Sequence, residues 1–293
     1  RRRASELGVE HHRTRLRSIH PSEVADRPEH VLITREGGAQ AASLTARYLV
    51  DATGRRAFVS RQLGIERRRL SRQSAIVGWL RHPVSDVERT TRSKSVSDGW
   101  WYTARLPKGA RVVAFHGLPA AIASLRKDPA LFAARCASAQ LLPYAFSPDD
   151  WLLPPRTSDA SVQIGERVAG PGWLAVGDAA LAFDPLSSQG VLFALYSGIR
   201  GAEAIVSCLK EPERSARSLD EYAARVGSVL RANQRARQLL YSSELRYPTA
   251  DYWRQQTGSY TPSSSSSAAA HLHIVDAERD RHRARSGPTA LKL

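Results

Sequence analysis

Methionine is absent from all 293 residues, and cysteine occurs only twice, at Cys136 and Cys208. Two thiols in helical, apolar surroundings build neither a disulfide scaffold nor a metal site, so they read as small hydrophobes in a reducing compartment. Lysine is scarce too: five of the 43 basic residues are lysine, and the formal charge of +15 comes from arginine. Those arginines are spread over most of the chain without repeated aromatic partners or a nucleic-acid motif. The charge alone would suit nucleic acid, but this distribution argues against it and leaves open an acidic protein or peptide partner, or a reduced nicotinamide phosphate. No uninterrupted apolar run reaches the roughly 18 residues that span a bilayer, and the first residues lack the apolar core of a signal peptide. No membrane is expected as a partner, and a soluble, cytoplasmic chain is. At 42% hydrophobic it can bury a core in one or two domains. Oligomeric state is left open.

A further absence is local. No Gly-x-Gly-x-x-Gly turn occurs anywhere in the chain, so the loop that seats a dinucleotide pyrophosphate on a helix N-terminus is missing.

What is present is concentrated between Gly172 and Gly190. Trp173 to Val176 form a short apolar run of the kind a strand covered on both faces requires. Gly177 lets the backbone leave that strand with a ligand close by, and Asp178 then stands at the strand's carboxyl end, where open α/β sheets bind ligands. An ionised carboxylate only accepts hydrogen bonds, so sugar-alcohol hydroxyls are its natural partners. After the loop Pro185-Leu186-Ser187-Ser188-Gln189, a helix opens at Gly190-Val191, and its free N–H groups favour an anion or an electron-rich carbonyl. The plainer alternative is that Gly-Asp after a strand is merely a turn. Upstream, Arg47 to Ala52 reads as a second buried strand leading into Thr53-Gly54-Arg55. Arg55 or Arg56 could grip a pyrophosphate with a planar fork, or both could simply be solvated.

Together these segments resemble the FAD-dependent monooxygenases with the p-hydroxybenzoate-hydroxylase fold, and within them the branch that includes flavin-dependent halogenases and tryptophan-modifying cofactor-maturation flavoproteins. The resemblance is strong at 47–56 and 172–192 and weak elsewhere. It implies that Asp178 holds a ribityl hydroxyl of FAD, that the backbone of Gln189, Gly190 and Val191 faces the flavin pyrimidine, and that Gly177, Pro185, Ser187 and Ser188 line the ring. It also implies that Thr53, Gly54 and Arg55 pass beside the nucleotide half. Ser188 departs from the glycine common in related chains. Because the family opens with the missing glycine-rich turn, and this chain opens Arg1-Arg2-Arg3, a fragment lacking the amino-terminal nucleotide-binding unit is expected.

The implied fold class is α/β (α+β): a truncated, Rossmann-like FAD-binding domain at 1–57 and 159–212, with an inserted β-sheet substrate domain at 58–158. A C-terminal helical segment at 213–262 and a disordered, Ser/Ala/Arg-rich tail at 263–293 complete it. Within this frame Gly8-Val9-Glu10 reads as a strand, and residues 31–34 and 44–50 read as a hairpin around Glu36-Gly37-Gly38. Residues 73–81, 99–107 and 111–117 read as further strands, with helices at 120–125 and 129–139. A capping box at Ser218-Leu219-Asp220-Glu221 opens a helix that stops before Tyr247-Pro248.

In Gly99-Trp100-Trp101-Tyr102, alternation puts Trp100 and Tyr102 on one face of a strand and Trp101 on the other. Either face can line a substrate pocket. His116 is a candidate base or a structural histidine. No catalytic side chain is assigned otherwise, and no metal site is expected. The resemblance implies hydroxylation of an electron-rich aromatic ring, possibly a tryptophan of a partner protein, by a flavin C4a-hydroperoxide, with NAD(P)H as reductant. A halogenase is the first alternative, although the Trp-x-Trp-x-Ile-Pro pattern of halogenases fails here: Tyr102 replaces the second tryptophan and proline comes two positions late. A non-catalytic flavoprotein-like module is the second.

Overall fold

Apolar runs broken by glycine, proline and polar pairs yield fourteen strands and seven α-helices in the computed structural model, which describes residues 2–22, 29–35, 42–83 and 86–258. The elements lie in one unit spanning residues 1–259. The chain enters through α1 (Arg2–Glu6) and an antiparallel meander of β1 (Arg15–Ser22), β2 (Glu29–Arg35) and β3 (Ala42–Ala46). Next come β4 (Leu49–Asp51), a 3-10 turn at Gly54–Arg56, α2 (Phe58–Gln62) and β5 (Arg67–Arg69). A five-stranded antiparallel sheet follows, built from β6 (Ser74–Arg81), β7 (Arg92–Val96), β8 (Gly99–Leu106), β9 (Ala110–Gly117) and, after α3 (Pro119–Lys127) and α4 (Pro129–Ser138), β10 (Trp151–Asp159). Its strand order is β10-β6-β9-β8-β7.

The chain then returns to the first layer with β11 (Gln163–Gly165), β12 (Ala169–Gly170), β13 (Trp173–Ala175) and β14 (Leu181–Ala182). β13 pairs in parallel with β4, aligning Ala175 with Asp51, while β11 bridges β14 and β5. Three helices finish the described chain: α5 (Gly190–Lys210), α6 (Ser215–Ser242) and α7 (Asp251–Thr257). This mixture of helices with a parallel pair and separate antiparallel sheets is the expected α/β class.

Three apolar clusters hold the layers together. One packs β13 and its flanks against Phe193, Ala204 and Cys208 of α5 and Leu219, Tyr222 and Val226 of α6. A second fills the space between the five-stranded sheet and α3 and α4, around Trp101, Phe115 and Phe132. The third joins Trp100 of β8 to Tyr241, Tyr252 and Trp253 of the C-terminal helices. Cys136 and Cys208 are free and buried, as their apolar settings suggested.

Four expectations need correction. Gly8 does not begin a strand: it adopts φ +81° and caps α1, its N–H and that of Val9 bonding to the carbonyls of Ser5 and Ala4. Residues 44–50 are not one strand, because β3 serves an antiparallel ladder and β4 a parallel one, so the chain must break between them at Arg47-Tyr48. Ser218 lies inside α6 and not at its cap, and its hydroxyl meets Ser207 Oγ of α5 at 2.9 Å. Finally, α5 is long and apolar enough, by length and composition, to cross a membrane, a property the count of uninterrupted apolar residues missed. Here it lies along β13 with Phe193, Ser197, Gly201, Ala204 and Cys208 buried. The turn at residues 36–38 and the tail at 263–293 lie outside the described residues.

Candidate cofactor site

The parallel pair β4 and β13 delivers two acidic residues to the same edge, and their environments differ. Asp51 is fully buried, and its carboxylate accepts from the backbone and hydroxyl of Thr53 (3.0 and 2.6 Å) and of Ser60 (2.8 and 2.6 Å). Thr53 Oγ1 in turn accepts from the Phe58 N–H at 2.6 Å, and Gly54 sits at φ +67°. Asp51 thus builds the turn at Thr53-Gly54-Arg55. The sequence signal was an Asp with Thr two residues on, the pattern of a side-chain-supported turn.

Asp178 stands beside it, partly open to solvent. Gly177 precedes it at φ +54° and donates its N–H to Ser197 Oγ at 2.8 Å, and Ser197 donates to the Phe193 carbonyl at 2.7 Å. A side chain at Gly177 would meet Ala194 Cβ at 3.3 Å, so what presses on this glycine is α5. Across the gap, a Cβ added to Gly190 would lie 4.0 Å from Asp178 Oδ1. The carboxylate therefore faces the first turn of α5, whose leading N–H groups have no acceptor within the helix.

Arg55 turns inward to this end of the site. Its guanidinium donates to the carbonyls of Ser161 (2.7 Å) and Phe183 (2.6 Å), and its Nε lies 3.5 Å from Asp178 Oδ2. Arg67, named by no motif, donates to the Asp178 carbonyl at 3.0 Å and to that of Ala179. Burial, then the nearby Arg55 and Arg61, lowers the Arg67 pKa. Arg56 is exposed.

The loop from Pro185 to Ser187 is a 3-10 turn capped by the preceding Asp184, and Ser188 takes the left-handed conformation at φ +51°. Glycine would serve that conformation without strain, so Ser188 bears a backbone cost that the glycine common in related chains would avoid. Gln189 caps α5, and its side-chain carbonyl accepts from Asn233 Nδ2 at 3.1 Å. Val191 is largely exposed at the mouth of the helix.

On the five-stranded sheet, Trp100 and His116 are register partners and stack with ring centroids 3.8 Å apart and planes within 6°. Trp100 and Tyr102 share the face toward Leu186 and α7, while Trp101 is sealed in the other core, as alternation required. Trp100 Nε1 and His116 Nδ1 are both buried, and neither makes a well-formed hydrogen bond among the described residues. Burial pushes the His116 imidazole down to about 3. It is neutral at physiological pH and sits in the wall of the aromatic cluster. Among the described residues, no group of three or more His, Cys, Asp or Glu side chains could hold a metal ion. A cavity of about 480 Å³ lies at the opposite ends of β4 and β13, beside Tyr48, Pro171 and Cys208, away from Asp178.

The donor set suits FAD: a half-open carboxylate for a polyol hydroxyl, and a helix N-terminus for a ring carbonyl. No protein-family model matches the chain. By sequence it is similar to LodB of Marinomonas mediterranea, classed by name as an FAD-dependent oxidoreductase, with 27% identity over 216 residues; the match covers 71% of this chain and 56% of LodB. By structure it is similar to the flavin-dependent halogenase CmlS (TM-score 0.76, 21% identity, 89% of this chain and 48% of that one). It is also similar to QhpG, a peptidyl tryptophan dihydroxylase essential for tryptophylquinone cofactor biogenesis (TM-score 0.72, 23% identity, 92% and 60%). The flavin-dependent brominase Bmp2 aligns at TM-score 0.66, with 20% identity over 84% of this chain and 62% of that one. The chain thus spans about half to three-fifths of the length of these proteins. Its fold is the α/β fold of these three solved structures.

Proposed function

We propose that this chain carries the ribityl and ring end of an FAD site in a flavin-dependent monooxygenase acting on an electron-rich aromatic ring. The observation that supports the reading most directly is Asp178 facing the first turn of α5, on the edge where β4 and β13 end together. Bound FAD would supply reductive activation of oxygen, with NAD(P)H as the source of electrons. The chain's own part is to accept a ribityl hydroxyl at Asp178 and to favour a ring carbonyl with the N–H groups of Gly190 and Val191. The loop at 185–189 would shield the ring from water, and the wall containing Trp100 and Tyr102 would offer an aromatic surface to the substrate.

A tryptophan side chain of an acidic protein or peptide is the proposed substrate. The formal charge of +15 supports such a partner, and the tryptophan-modifying activity stated for QhpG supports the target. Halogenation is the rival reading, favoured by the likeness to CmlS and Bmp2. The fragment reading is supported by β4, which ends its sheet among the described residues with Val50 exposed, and by the apolar stripe of Val191, Leu195 and Ile199 left uncovered on α5.

The test is to express the chain with and without its natural flanking sequence and to measure flavin absorbance and reductant-dependent oxygen uptake, with and without halide. A hydroxylated product with no halide requirement is expected from the flavin-loaded form, whereas a halogenated product would establish the rival. Asp178→Ala should weaken FAD binding by about tenfold or more through loss of a charge-assisted hydrogen bond. Unchanged affinity would remove Asp178 from the site, and absence of flavin from the wild-type protein both with and without its flanking sequence would end the flavin reading.

A further inference from the structure

The loop proposed to face the flavin ring is held from behind by one polar stripe of α6. Asn233, Arg237 and Tyr241 follow one another at four-residue spacing, so they lie in a row along one face of the helix. Each reaches the loop or its capping carboxylate. Asn233 donates to the Gln189 side chain at 3.1 Å. Arg237 Nε and the Tyr241 hydroxyl both lie 2.9 Å from Asp184 Oδ2. The row thus grips both ends of the segment 184–189.

Asp184 is the junction. It is buried, and its Oδ1 accepts the Leu186 N–H at 3.0 Å and Gln73 Nε2 at 3.4 Å, while its carbonyl accepts the N–H and hydroxyl of Ser187 at 3.1 and 2.8 Å. The same groups tie in two further segments. Tyr252 of α7 donates to Gln73 Oε1 at 2.6 Å. Arg237 NH1 donates to the Gln256 carbonyl at 3.1 Å, its NH2 bonds the Gln256 side chain, and Gln256 donates to the Arg72 carbonyl at 3.2 Å. A loop merely tucked against a helix would need apolar contact alone. Here a buried carboxylate is matched donor by donor, and Ser188, two residues beyond Leu186, is held in a left-handed conformation. Burial, followed by the charges of Tyr252 and Asp184, raises the Tyr241 pKa, and its one hydroxyl proton has two acceptors in reach, Asp184 Oδ2 and Gln73 Oε1, each at 2.9 Å.

We propose that Asn233, Arg237 and Tyr241 of α6, acting through Asp184 and Gln189, are positioning residues that set the geometry of the 184–190 loop and so the surroundings of the flavin ring. This inference rests on the flavin reading of the site. None of the three is assigned contact with cofactor or substrate.

The experiment uses the flavin-loaded, full-length protein in wild-type form and as Arg237→Met, Arg237→Lys, Tyr241→Phe and Asn233→Ala. FAD affinity, the visible absorption envelope and the reduction potential of bound flavin are measured well below the unfolding temperature. Hydrogen exchange at Leu186 and Gln189 is followed in the flavin-free protein. Expected are exchange at those amides accelerated about tenfold in Arg237→Met, a shifted flavin band, FAD binding weaker by about tenfold, and partial rescue by lysine, which keeps the positive charge but not the three-nitrogen fork that reaches both Asp184 and Gln256. Tyr241→Phe preserves ring packing and keeps the test open if Arg237→Met fails to fold. Wild-type protein that binds FAD, with folded variants unchanged in affinity, spectrum and loop exchange, overturns the positioning role and leaves the flavin reading intact. Wild-type protein that binds no FAD overturns both.

Discussion

Two residues of the candidate site have conformations that can be tested singly. Gly177 combines φ +54° with a neighbour that would stand 3.3 Å from an added Cβ, so Gly177→Ala carries both a left-handed strain and a crowded helix contact. The expected loss is about 1–2 kcal/mol in urea unfolding, and a variant as stable as the parent would show that the strand exit can relax. His116 is tested by pH. Its folded pKa, pushed by burial down to about 3, lies below its ordinary value of 6.5, so the unfolded chain binds a proton that the folded one refuses between those limits. Stability from this group is complete above about 6.5 and declines as pH falls toward 3, by up to about 1.4 kcal/mol per unit. His116→Phe keeps a ring against Trp100 and should flatten that acid limb; an unaltered slope would assign the pH dependence to other groups. Legibility was uneven at this scale. Gly177, Asp178 and Ser188 stood out because backbone freedom and end-of-strand chemistry leave local marks. Asp184, Arg67 and Arg237 did not, since the contacts that tie them into the site, Arg237 to Asp184 and Arg67 to the Ala179 carbonyl, span 53 and 112 positions and no short window contains both sides.

Helices and strands followed the same division. Three strands of the five-stranded sheet, β6, β8 and β9, were legible from their apolar and aromatic runs, and the pleat alone fixes Trp101 on one face and Trp100 on the other; β7 and β10, with their mostly exposed residues, were not read. Where elements end was harder to read, as Arg47-Tyr48 shows, because the change from antiparallel to parallel pairing is dictated by remote partners. α7 illustrates a third case, an aromatic segment whose partner lies far off in the sequence. Trp253 is 5% exposed, donates to the Val96 carbonyl at 2.8 Å, and meets Tyr252 edge to face at 5.3 Å. Trp253→Ala should therefore lower stability by about 3–5 kcal/mol in denaturant unfolding. It should also raise proteolytic cleavage between α6 and α7, because the indole fastens α7 to the end of β7. A loss under about 1 kcal/mol would mean that the Asp184 cluster alone retains α7.

For the whole molecule, the informative surface is the one left without a layer. A parallel strand such as β4 is ordinarily flanked and covered, because parallel sheets occur with helices on their faces. Here β4 closes its sheet among the described residues, and Leu195 and Ile199 on α5 are 64% and 60% exposed. On the proposed fragment reading, a glycine-rich strand-and-helix unit, in flanking sequence or in another chain, would pair with β4 and cover α5. Leu195→Lys combined with Ile199→Lys distinguishes that cover from ordinary surface. Neither side chain contributes much to the described core, so unfolding of the 293-residue chain should change by no more than about 0.5 kcal/mol. In the protein with its flanking sequence, the same pair of charges would be buried without partners, and FAD loading should fall sharply as the layers fail to close. Equal loading in both forms would show that α5 faces solvent with the flanking sequence present, and would count against the proposed cover.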